Sequence, residues 1–126
     1  ADQLKLPYIY VRPKPKEHGL GNQIEGALEK GQKVLVIEDL ISTGKSSLQV
    51  CEVLKAAGAE VIGMVSIFTY GFDIASDSFA KAGIPFQSLT NYQSLIDLAL
   101  EKKIISDAEQ NTLLNWRANP SDWTGI

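Results

Sequence analysis

A chain of 126 residues, 44% of them hydrophobic, can bury one core but is too short for two ordinary domains, so residues 1–126 read as a single domain. Its formal net charge of -3 excludes a general nucleic-acid binder, although Arg12, Lys14, Lys16 and His18 gather positive charge in one stretch and leave room for a local anion site. The single cysteine, Cys51, excludes an internal disulfide and points to a reducing cytoplasm, and no apolar run is long enough to span a membrane or resembles a signal peptide.

In chain order, Leu4-Lys5-Leu6-Pro7 reads as the end of a helix, and Tyr8-Ile9-Tyr10-Val11-Arg12 alternates like a strand that delivers Arg12 to a loop. From Pro13 to Asn22, prolines and glycines stand among cations and His18 with little to bury, which predicts a mobile surface loop; a solvated charged hairpin has the same composition. Gln23 to Gln32 is ambiguous, with a strand favoured at Gln23-Ile24-Glu25.

Lys33 to Asp39 is expected to be the central buried strand, built on the unbroken β-branched and aliphatic run Val34-Leu35-Val36-Ile37. It ends in two adjacent acids and passes through Ser42-Thr43-Gly44 into a helix over Ser46–Ala57, whose Val50, Cys51, Leu54 and Ala57 share one face and which closes at Gly58. That places Cys51 in the core. Glu60–Thr69 is a second buried strand leading into Tyr70-Gly71-Phe72, Asp73–Ala82 a helix closed by Gly83, and Pro85–Leu89 a short edge strand. Alternating strand and helix implies an open parallel sheet of the α/β class flanked by helices. Thr90-Asn91-Tyr92-Gln93 and Ser106-Asp107-Ala108-Glu109 are both capping-box patterns. The helices they open carry apolar stripes, Tyr92, Leu95, Ile96 and Ala99 on one and Leu113, Leu114 and Trp116 on the other, expected to lie on the sheet. Trp123 is expected to anchor the final loop.

The chemistry is concentrated at the strand-turn-helix junction. Successive amides at a helix start surround an anion, and the helix dipole adds roughly 0.3–1 kcal/mol at an exposed site. Glu38 and Asp39 do not serve an anion; they suit vicinal hydroxyls, or a metal held through water. A phosphate at one end and a polyol beside it describe a ribose 5-phosphate. Three other readings compete. Gly44-Lys45-Ser46 ends the phosphate loop of nucleoside triphosphatases, but that loop needs glycine where this chain has Asp39. A receiver-like domain would use strand-end acids but leave the cationic loop unexplained. Purely structural acids are hard to reconcile with an adjacent pair, since neighbours on a strand point to opposite faces.

The junction, an apolar strand followed by Glu-Asp, two aliphatics, a hydroxyl residue, any residue, Gly and Ser, resembles the phosphoribosyl pyrophosphate motif of the type I phosphoribosyltransferases. Tyr10-Val11-Arg12-Pro13-Lys14-Pro15-Lys16-Glu17-His18-Gly19 is similar to the catalytic loop of their orotate branch. The resemblance covers the whole chain but only the later part of such an enzyme. It implies a phosphoribosyltransferase core lacking the family's N-terminal segment, and the start at Ala1 rather than Met fits a cut from a longer chain. It further implies transfer of phosphoribosyl from phosphoribosyl pyrophosphate to orotate, with Mg2+ held mainly by substrate and near Glu38 and Asp39 through water.

By the same resemblance Glu38 and Asp39 take the ribose hydroxyls and Ser42, Thr43, Gly44, Lys45 and Ser46 surround the 5-phosphate. Arg12, Lys16 and His18 face the pyrophosphate, with Lys16, His18 and Asp39 as the catalytic set and Tyr70 on the base side. Lys45 and Pro13 depart from the family pattern, and Tyr70 stands where some orotate enzymes have arginine. The implied assembly is a homodimer whose loop around Lys16 and His18 reaches the neighbouring site. A different base, or a binding module without turnover, are the alternatives.

Overall fold

The structure, a computed structural model, describes residues 1–14 and 23–122. Lys16, His18 and Trp123, with the readings placed on them, lie outside the described residues. In chain order the elements are β1 (Tyr10–Val11), β2 (Ile24–Glu25), β3 (Lys33–Ile41), α1 (Lys45–Ala56), β4 (Glu60–Thr69), α2 (Asp73–Ala82), β5 (Phe86–Asn91), α3 (Tyr92–Glu101) and α4 (Asp107–Ala118), followed by a 3-10 turn at Pro120–Asp122.

The β-branched runs form the main sheet, which is parallel with order β3-β4-β5. Val36, Met64 and Phe86 share one rung, and paired residues of a parallel ladder project to the same face. Onto that face α1 brings Cys51 and Leu54, and α2 brings Ala75 and Phe79, whose ring lies 4.4 Å from that of Phe86. The sequence reading of α1 is borne out for Cys51 and Leu54; Ser47 joins them in the interior, while Val50 is half-buried and Ala57 exposed. On the opposite face Leu35, Ile37, Ile67 and Leu89 are exposed. The expectation that β3 is the central buried strand is therefore corrected: β4 is central and β3 is an edge of the described sheet. An apolar run looks the same in either place, because position depends on pairing partners far along the chain.

Other readings shift with the local physics. Leu4-Lys5-Leu6-Pro7 is a turn rather than a helix end, with Lys5 at φ 54° and its amide on the carbonyl of Asp2. The first strand narrows to Tyr10–Val11, paired antiparallel with β2 in a separate two-stranded ribbon. β5 starts one residue after Pro85 and runs on to Asn91, pairing Thr90 with Phe68. Thr90 is thereby a strand residue and no cap. Asn91 takes that role, its side chain accepting from the Ser94 amide, and the capping box expected at Thr90 and Gln93 is absent. The box at Ser106 and Glu109 is present. α4 docks on α3 and on the segment after β4 rather than on the sheet, through Trp116, which contacts Tyr70, Phe72 and Tyr92. Among the described residues no helix is long and apolar enough to cross a membrane.

Candidate functional site

The three parallel strands end on one rung, Ile41, Thr69 and Asn91. The carboxyl ends of strands in an open α/β sheet are where ligands bind. Three segments leave this edge: the turn Ser42–Gly44, the loop Tyr70–Phe72, and α3.

The turn is shaped by Gly44. Its φ is 77°, a left-handed conformation that side chains disfavour, and an added Cβ would lie 2.7 Å from Cε2 of Phe79. Gly44 is thus both the turn residue and the point where the turn touches the core. It is also the N-cap of α1, and no side chain caps the helix there. Its carbonyl accepts from the Leu48 amide at 2.9 Å, so the helical ladder begins with that bond. The amides of Lys45, Ser46 and Ser47 precede the ladder and have no intrahelical acceptor. The first turn carries no acid. Uncapped amides, the positive end of the dipole and a first turn without acids together favour a small anion. Ser42 Oγ accepts from the Thr43 amide at 2.6 Å, holding the turn closed, while the Thr43, Lys45 and Ser46 side chains are exposed.

Glu38 and Asp39 stand on β3 three and two residues before the strand's end, and as strand neighbours they project to opposite faces. Glu38 is half-buried on the α1 side, where its charge reaches Cys51. Burial pushes the Cys51 thiol up, Lys55 opposes, and Glu52 and Glu38 add to the rise. A raised thiol pKa disfavours the thiolate that a nucleophile needs, in keeping with the place of Cys51 in the core. Asp39 is exposed, and one carboxylate oxygen accepts from the Leu40 amide at 2.6 Å. Its other oxygen faces no such restriction, so the acid has acceptor capacity for a hydroxyl.

Arg12 is tied into the small ribbon rather than to the sheet edge. Its amide donates to the carbonyl of Gln23, the Gln23 side chain donates back to the Arg12 carbonyl at 2.8 Å, and its guanidinium donates to Glu25 at 2.9 Å. With both side chains about two-fifths exposed, that ion pair adds little stability. Tyr70 is half-buried with its ring packed among Phe68, Phe72, Tyr92 and Trp116. Among the described residues no cluster of three metal-ligating side chains occurs, and Glu38 and Asp39, on opposite faces of β3, do not converge on one ion.

Sequence reasoning missed two residues at this edge. Thr69 Oγ1 donates to the Ile41 carbonyl and accepts from the Gly71 amide. Arg117, in the last turn of α4, donates from Nε to the Tyr70 carbonyl and from Nη2 to the Gly71 carbonyl. A cation in a helix's last turn is common, and nothing local marks a partner 46 or 47 residues away.

The family model of the phosphoribosyl transferase domain matches residues 1–90, which include the ribbon, the acid pair, the uncapped turn and most of the sheet. The chain belongs to the phosphoribosyl transferase family. Its relatives include the orotate phosphoribosyltransferase of Cytophaga hutchinsonii, 54% identical over 123 residues that cover 98% of this chain and 59% of that enzyme. The UMP synthase of Leishmania donovani superposes with a TM-score of 0.75 at 26% identity, over 93% of this chain and 25% of that one. An orotate phosphoribosyltransferase of Mycobacterium tuberculosis, solved with 5-phospho-alpha-D-ribosyl 1-diphosphate, superposes with a TM-score of 0.50 at 31% identity, over 54% of this chain and 41% of that one. The chain thus spans about three-fifths of the length of the curated relatives it matches. As a member of that family it has a parallel sheet with the uncapped start of α1 at its carboxyl edge.

Proposed function

We propose that this chain is the phosphoribosyl-pyrophosphate-binding part of an orotate phosphoribosyltransferase, with residues 1–126 as one domain. The reaction is displacement of pyrophosphate from the ribosyl carbon by a ring nitrogen of orotate, giving orotidine 5-phosphate. The observation that carries the reading is the uncapped, acid-free start of α1 at Gly44, set directly after an acid pair on the strand that leads into it. Its support is the similarity to orotate phosphoribosyltransferases, one of them solved with phosphoribosyl pyrophosphate.

In this reading the turn from Ser42 to Ser46 surrounds the 5-phosphate, with the uncapped amides of Lys45 and Ser46 donating to it, and Asp39 and Glu38 accept from ribose hydroxyls. Because the two acids project to opposite faces, Asp39 is the exposed acceptor, and Glu38 reaches the ribose only from the α1 side. Lys16 and His18, with Arg12, stabilise the pyrophosphate as its charge builds, which is where preorganised cations contribute most. Arg12 would exchange its contact with Glu25 for the substrate. Mg2+ travels with the phosphates and neutralises part of their charge, held to the protein through water near the acids. Tyr70 borders the base side as part of its loop, its ring committed to the aromatic cluster and its amide and carbonyl already bonded to Ile41 and Arg117. A buried free thiol and a soluble-substrate reaction fit a cytoplasmic setting, and a homodimer with exchanged loops completes the reading.

The test is a transfer assay of the full-length protein with phosphoribosyl pyrophosphate, Mg2+ and, in separate runs, orotate, uracil, adenine and hypoxanthine. Turnover confined to orotate is expected. Turnover with a purine base instead would overturn the substrate assignment. Calorimetry of the 126-residue chain with phosphoribosyl pyrophosphate is expected to show binding, with little or no product formed by the chain alone. Positioning accounts for roughly 7–11 kcal/mol of such a barrier, and two-fifths of the relatives' length is not spanned.

A further inference from the structure

Of the features at the sheet's carboxyl edge, one is not absorbed by the phosphate and ribose reading: the guanidinium that reaches the edge from the far end of the described chain. Arg117 donates to two consecutive carbonyls, Tyr70 at 3.1 Å and Gly71 at 3.2 Å. No carboxylate among the described residues pairs with it. Its charge is therefore spent on backbone. Arginine's planar fork matches such a pair of acceptors, whereas lysine offers a single point charge. The loop it grips is tied on the other side as well. The Tyr70 amide and Thr69 Oγ1 both donate to the Ile41 carbonyl, at 3.1 and 3.2 Å, and the Gly71 amide donates to Thr69 Oγ1 at 3.1 Å. Gly71, at φ 67°, turns the chain between these anchors. Around them Trp116, the residue before Arg117, packs against the Tyr70, Phe72 and Tyr92 rings.

We propose that Arg117 is a positioning residue that fixes the Tyr70–Phe72 loop, and thereby where the acceptor base sits relative to the ribosyl carbon. This rests on the function proposed above. The loop leaves the same rung as the phosphate turn but is a separate segment, so loosening it moves the base side while the 5-phosphate stays held by α1. A displacement of about an ångström at such a distance from the chemistry costs on the order of a hundredfold in rate.

The experiment compares the full-length protein with its Arg117→Lys and Arg117→Ala variants, reading kcat, the KM for orotate, the KM for phosphoribosyl pyrophosphate and the melting temperature. Both variants are expected to lose about ten- to a hundredfold in kcat/KM for orotate, with the KM for phosphoribosyl pyrophosphate within about twofold of the parent. Arg117→Lys, which keeps the charge and most of the packing, is expected to melt within about 4 °C of the parent. If it retains parental kinetics, or if both KM values rise together in step with lost stability, the positioning role is wrong while the function stands. If the parent protein transfers to no pyrimidine base, the functional reading fails and this role falls with it.

Discussion

Replacing Gly44 with alanine adds one methyl group at the point where the turn Ser42–Gly44 meets the core. At φ 77° an alanine pays the left-handed backbone cost of roughly 1–2 kcal/mol. The new Cβ would lie 2.7 Å from Cε2 and 3.3 Å from Cδ2 of Phe79, so something must shift. The ring has little freedom to retreat: it is 1% exposed and its centroid stands 4.4 Å from that of Phe86. Forcing an extra carbon into such a place costs about 1–3 kcal/mol. The sum is about 2–5 kcal/mol, and at roughly 4 °C per kcal/mol for a chain of this length it lowers the melting temperature by about 8–20 °C. If the turn yields instead of the ring, less stability is lost, but the amides of Lys45 and Ser46 move away from the position proposed for the phosphate. Thermal unfolding and calorimetry with ribose 5-phosphate on Gly44→Ala separate these outcomes, and trimming the ring in Gly44→Ala/Phe79→Leu relieves the steric part alone. Unchanged melting and unchanged ribose 5-phosphate affinity in Gly44→Ala would refute the reasoning.

Asp39→Ala is expected to weaken phosphoribosyl pyrophosphate binding by roughly 1.5–3 kcal/mol in calorimetry, the worth of a hydrogen bond to a charged group. Glu38→Ala is expected to weaken it as well, and equal affinity in both variants and the parent would remove the ribose assignment. In the full-length protein Lys16→Ala should lower kcat with little change in melting temperature; normal turnover with a large loss of stability would make the lysine structural. Glu109 is held below its ordinary carboxyl value by the Ser106 amide and then the Ser106 hydroxyl, at 2.8 and 2.7 Å. Its folded pKa is depressed, so its stabilisation is present above the unfolded value and lost as pH falls through the folded one. The melting-temperature gap between parent and Glu109→Gln should therefore shrink on acidification below the ordinary glutamate range, and a gap that widens would reverse the assignment.

What was legible in the sequence was what short-range chemistry decides. β4 and α2 have the bounds read for them because β-branched runs, an acid at a helix start and Gly83 at its end act over a few residues. Gly44 falls where a strand-turn-helix reading puts it, whereas the acid pair lies inside β3, which runs two residues past the expected end at Asp39 to Ile41. The Thr90 capping box failed because the same residue had a second use: pairing with Phe68 kept it in the strand, and Asn91 was equally able to cap. The edge position of β3 was not legible, since Leu35 and Ile37 look identical whether another element covers them or not. Neither was Arg117, whose partners are backbone atoms and so leave no side-chain signature at Tyr70 or Gly71.

The site's coherence comes from one peptide group. The Ile41 carbonyl accepts from both the Tyr70 amide and Thr69 Oγ1, and Ile41 itself is fully buried. Ile41 is also the residue immediately before Ser42, where the phosphate turn begins. The turn proposed to hold the 5-phosphate and the loop proposed to face the base are thus fastened to the same fixed atom, one by covalent connection and the other by two hydrogen bonds in the interior. Gly44 against Phe79 fixes the far side of the turn, and Arg117 fixes the far side of the loop. Neither segment depends on a charged side chain of its own for its shape. That leaves the exposed groups at the edge, Asp39 among them, open to the proposed ligand, and the proposed anion site then needs no cluster of cations at the turn in a chain of net charge -3.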